Sequence, residues 1–89
     1  RTPIPTDLGD RQAKARANVQ SLTAAVEART GEVERLRAAV TKASGDGKTE
    51  LTRQLQVATA FLAVEQETLT EARKTLNAAD DAIRRYQAA

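Results

Sequence analysis

Ala43-Ser44-Gly45-Asp46-Gly47-Lys48 is the stretch on which the fold turns, because the apolar residues on either side of it keep step with each other about that point. Four residues within it, Ser44 to Gly47, break a helical pattern that otherwise runs nearly the whole length of the chain. Glycine takes the left-handed backbone that ends a helix, so the first helix is expected to end at Ser44-Gly45, with Asp46 as the cap of the next one. A connection this short favours antiparallel neighbours, so the stretch predicts the tip of a helical hairpin.

Upstream of the tip the a positions of a heptad are Gln12, Val19, Val26, Val33 and Val40, and the d positions are Leu8, Ala15, Leu22, Arg29, Leu36 and Ala43. Steps of four and three alternate without interruption, as in a coiled-coil seam. Downstream, Leu55, Leu62, Leu69, Leu76 and Ile83 form one row, and Leu51, Ala58, Glu65, Ala72, Ala79 and Tyr86 form the other. Folding the chain at the tip sets Val40 against Leu51, Leu36 against Leu55, Val33 against Ala58, Leu22 against Leu69, Val19 against Ala72 and Leu8 against Ile83. Large side chains meet small or medium ones. Two charges intrude on the seam, Arg29 and Glu65, and this folding brings them into adjacent layers. An unpaired charge there is costly after desolvation, whereas a paired one roughly breaks even, so the two are expected to form an ion pair that fixes the register.

The expected fold is all-α, with a linker or strap over residues 1–6 and an antiparallel coiled-coil hairpin over 7–89. Pro3 and Pro5 keep the first segment out of a helix, and Asp7 is the expected N-cap of a first helix over about 7–43. The turn is expected over 44–47 and the second helix over about 47–87. Gly31 falls at an f position, facing away from the seam, at a cost of roughly 1 kcal/mol relative to alanine.

Composition excludes more functions than it suggests. The chain has 89 residues, 40% hydrophobic but only 2% aromatic, and this mix suits a helical seam of Leu, Val and Ala rather than a large enclosed active site. It has neither His nor Cys, which removes the side chains on which most zinc, copper and haem sites and all thiol chemistry depend, so no metal or cofactor is expected. A cysteine-free chain fits a reducing or an oxidising compartment, which leaves an extracytoplasmic place open. No apolar run approaches the roughly 20 residues that cross a bilayer, so a soluble rod with no membrane insertion is expected. The net charge of +2 is spread rather than gathered: Arg35 and Arg37 stand beside Glu32 and Glu34, and Arg73 and Lys74 follow Glu71. Nucleic-acid binders concentrate basic residues and add stacking aromatics, so no nucleic-acid partner is expected. The chain begins at Arg1 rather than Met, and an arm excised from a larger protein is the expectation.

Two surfaces stand out. Val57, Phe61 and Val64 recur at spacings of four and three on the flank of the second helix, outside the seam, with Ala60 beside them. A solitary hairpin has no use for that stripe, so a protein partner or self-association, as a homodimer or four-helix bundle, is expected there. Opening the tip into one continuous helix offers a domain-swapped route to the same seams. The second surface is the tip, with Asp46, Lys48 and Glu50. Gly47-Lys48-Thr49 matches the end of a phosphate-binding loop, but the first glycine of that motif falls at Lys42 and the segment follows a helix rather than a strand.

The acidic pair Asp46 and Glu50 resembles the tip of the transcript-cleavage factors, whose hairpins enter the RNA polymerase channel to hold a metal; that resemblance implies a catalytic-factor hairpin, although Lys48 lies between the two acids. Secreted hairpins of the WXG type carry a tryptophan in the turn, and this chain has none. In architecture the chain is similar to the hairpins of periplasmic adaptor proteins of efflux pumps and to the receptor-binding arms of colicin-like bacteriocins, whose proline-rich flanks Pro3 and Pro5 match. It has no diagnostic motif of either family, so the likeness implies only an alternative role, engagement of a receptor or channel. The leading expectation is a non-enzymatic structural module that binds protein.

Overall fold

The computed structural model describes residues 3–89, and among these the regular elements are two helices, α1 (Thr6–Lys42) and α2 (Gly45–Ala88). They lie antiparallel as a rod of 67 × 15 × 14 Å. Contacts far apart in sequence show the direction: Gln12 Nε2 donates to Asp80 Oδ1 at 2.7 Å near the open end, and Arg29 Nε donates to Glu65 Oε1 at 2.8 Å midway along.

The seam is made of the two rows read from the sequence. Ala15 and Val33 of α1 and Ala58, Leu69, Ala72, Ala79 and Ile83 of α2 are buried, and the remaining seam positions are half-buried, with one exception. Among the described residues no side chain is sealed completely. Two helices enclose a strip only one side chain wide, so the best-covered residues are mainly the small ones, over which the opposing backbone closes. The exception is Tyr86, an expected seam residue that is exposed. Its place in the register falls opposite Pro5, where α1 has not yet begun, so no helix covers it.

Both helix ends differ from expectation. Thr6 is already helical, and Pro5 occupies the N-cap position with no side-chain hydrogen bond, so Asp7 is not the cap. Pro5 has an extended ψ of 143° and its carbonyl accepts from the Gly9 amide at 3.1 Å, while Asp7 lies inside the first turn, where its charge faces the positive end of the helix dipole. Pro3 and Ile4 precede the helix as expected of the strap, while Arg1 and Thr2, also assigned to it, lie outside the described residues.

The tip is tighter than the four-residue turn over 44–47. Only Ala43 (φ −88°, ψ 164°) and Ser44 (φ −144°, ψ 163°) lie between the two helices, and both are extended. The Ala43 amide still bonds back to the carbonyls of Ala39 and Val40. Gly45, at φ +63°, then swings the chain into α2, so its left-handed backbone opens the second helix rather than closing the first. Ser44 holds the N-cap position and Asp46 sits in the first turn instead of capping.

Candidate interaction surface

The flank stripe is exposed as its heptad positions require. Val57, Phe61 and Val64 lie within roughly 60° of one another around α2, and their exposures are 45%, 53% and 60%. Leu62 and Ala58, next to them in sequence, turn into the seam. The same stretch of helix therefore presents one apolar face to α1 and another to solvent.

Phe61 is held from the α1 side. The guanidinium carbon of Arg29 lies 5.1 Å from the centre of its ring, within the range of a cation–π contact. Arg29 is held in turn by two carboxylates: Nε donates to Glu65 across the seam, and Nη1 donates to Glu32 Oε1 at 2.8 Å one turn along its own helix. The hydrogen bond it donates to Glu65, then that to Glu32, raise the Arg29 pKa above its ordinary value, so the charge is fixed throughout the working pH range. One wall of the ring is thereby occupied and the other faces outward. Beside it, Glu32 and Leu36 of α1 and Gln54, Val57 and Phe61 of α2 border an open groove of about 330 Å³.

The opposite flank has a different surface. Thr23, Thr30, Thr52 and Thr59 fall on the other side of the seam, and each hydroxyl donates to the carbonyl four residues earlier, to Val19, Val26, Lys48 and Leu55 respectively. Their polar atoms are satisfied within the helix. The apolar stripe is thus confined to one side of the rod.

At the tip, Asp46, Lys48 and Glu50 are all exposed. Glu50 is not a free anion: Arg53 and Gln54 both donate to its carboxylate. These bonds, Arg53 first, hold its pKa below the ordinary glutamate value. A shallow depression beside Gly45, Lys48 and Thr49 is open to solvent along its length. Among the described residues no three acidic groups converge in the manner of a metal site, and no helix is long and apolar enough to cross a membrane.

The flank stripe and the Arg29–Glu65 proximity were both legible as heptad positions. The tie between them was not, because Phe61 and Arg29 lie on different helices and only the folded register puts the ring beneath the guanidinium. Glu32 could have been found: its i,i+3 spacing from Arg29 is a standard helical ion-pair spacing. No family model matches the chain, and no curated protein or solved structure matches it either.

Proposed function

We propose that this hairpin is a non-enzymatic rod that presents the flank of α2, at Val57, Phe61 and Val64, to a protein surface. The supporting observation is an apolar stripe that the two-helix seam does not use, with Phe61 steadied from behind by Arg29. Aromatic residues fixed in place lose little conformational freedom on binding, which suits them as anchors. A rod whose ends lie 67 Å apart also acts as a spacer, placing that anchor at a set distance from whatever its open end joins.

The alternatives are a receptor- or channel-engaging hairpin and a catalytic-factor hairpin acting at the tip through Asp46 and Glu50. Catalysis there would need a carboxylate free to bind a cation or trade a proton. Glu50 is instead engaged by hydrogen bonds from Arg53 and Gln54.

Site-specific photo-crosslinking separates these readings. A benzophenone side chain placed in turn at positions 57, 61, 64, 46 and 48 should give protein adducts at the first three and not at the last two. Adducts confined to 46 and 48 would move the function to the tip.

A further inference from the structure

We propose that the hairpin opens at its tip and exchanges helices with a second copy, giving a domain-swapped dimer of two continuous helices. The inference goes beyond the flank-binding reading and does not depend on it. It is carried by the phase that the two seam faces keep through the tip.

Val33 precedes Leu51 by 18 residues, and Val40 precedes Ala58 by the same number, which is about five full turns of an α-helix. With residues 43–45 helical, the inward faces of α1 and α2 therefore lie along one side of a single helix. The stripe then runs through Val40, Ala43, Gly47, Leu51 and Leu55 in steps of three and four. A closed hairpin has no need of this, because the bend at its tip can bring together faces of any relative phase. One residue more or fewer at the tip would turn the two faces about 100° apart on the open helix.

The backbone is already close to that state. Only Ala43 and Ser44 separate the helices, and the Ala43 amide bonds to the Ala39 carbonyl as it would in a continuing helix. In the swapped pair α1 of one chain lies on α2 of the other in the same register, so Arg29 meets Glu65, and Gln12 meets Asp80, between chains rather than within one. A two-fold axis at the tip sets Ser44 of each chain opposite Gly47 of the other, both small enough for the helices to stay close, while Asp46 falls toward the outer side. The contacts between α1 and α2 are the same in both forms, so the balance rests on the tip and on concentration. Gly45 and Gly47 are poor helix formers and hold the closed form in dilute solution. Val57, Phe61 and Val64 stay outside the seam in either form, once per monomer and twice per dimer.

The experiment refolds each chain from urea over a range of concentrations, so that slow exchange of helices does not limit the outcome. Mass is measured by sedimentation equilibrium, length by small-angle X-ray scattering and helix content by circular dichroism. A continuous helix from Thr6 to Ala88 is about 125 Å long, against 67 Å for the closed rod. The wild type is expected as a monomer when dilute and as an elongated dimer when concentrated. G45A/G47A favours a helical tip and strains the closed one at position 45, where φ is +63°, so its dimer should be at least tenfold tighter and equally long. Four glycines inserted between Ser44 and Gly45 break both continuity and phase and should leave a folded monomer.

A wild type that is monomeric at every concentration overturns the inference. So does a dimer no longer than the closed rod, which is the signature of hairpins packed side by side. A dimer that G45A/G47A fails to tighten, or that the glycine insertion leaves unchanged, overturns it as well.

Discussion

Arg29 on α1 and Glu65 on α2 meet across the seam with Nε 2.8 Å from Oε1, and their side chains remain 31% and 26% exposed. Charges half in contact with solvent contribute little as a simple ion pair. Sliding α2 by one heptad would leave each facing an apolar residue, a desolvation cost that the observed register avoids. Arg29→Leu should lower the unfolding midpoint by a few degrees because Glu65 loses its cation. Glu65→Leu should lower it less, since Glu32 still holds Arg29. The double variant should recover most of the loss. Thermal melts of all four chains check this, and strictly additive losses would remove the coupling.

Two glycines should respond oppositely to alanine. Gly31 is helical, and a Cβ there meets nothing closer than the flexible Arg35 guanidinium at 3.5 Å. Gly31→Ala should raise stability by about 0.5–1 kcal/mol. Gly45 has open space around it but a φ of +63°. Gly45→Ala should cost about 1–2 kcal/mol through backbone strain alone. Urea denaturation monitored by circular dichroism measures both.

The seam should be most sensitive where it is best covered. Leu69→Ala should cost about 2 kcal/mol, at the low end for a buried leucine because a two-helix seam can close over part of the gap. Ala79→Leu forces a large side chain under the opposing backbone and should cost about 1–3 kcal/mol. Tyr86→Ala, outside the paired length, should stay within about 0.5 kcal/mol of the wild type. Equal losses at Leu69 and Tyr86 would contradict the register.

Acid should loosen the start of α2. The Glu50 pKa is depressed in the folded chain by Arg53 and Gln54, so its contribution is fully present above the ordinary glutamate pKa and is lost as pH falls through the lowered folded value. Amide exchange near the tip should therefore be flat from about pH 8 down to about pH 5, after correction for intrinsic rates, and rise below that. Glu50→Gln should exchange faster at neutral pH and show no such acid step.

The heptad rows and the central break are local and periodic, so they were enough to predict two antiparallel helices, the seam residues and the exposed flank. The end details were not, because they depend on competition between neighbouring residues. Pro5 took the N-cap position expected of Asp7, and a single left-handed glycine, with two extended residues before it, replaced a four-residue turn.

By itself, then, the sequence determined which residues face inward, because helical periodicity acts through neighbours three and four apart and needs no knowledge of the rest of the chain. The tertiary structure decided where one helix stops covering the other, leaving Tyr86 bare. It also decided that Arg29 serves both Glu65 and Phe61. Both depend on how far α2 is offset along α1, a quantity set by the packing of the two helices and by the two extended residues and one left-handed glycine that join them.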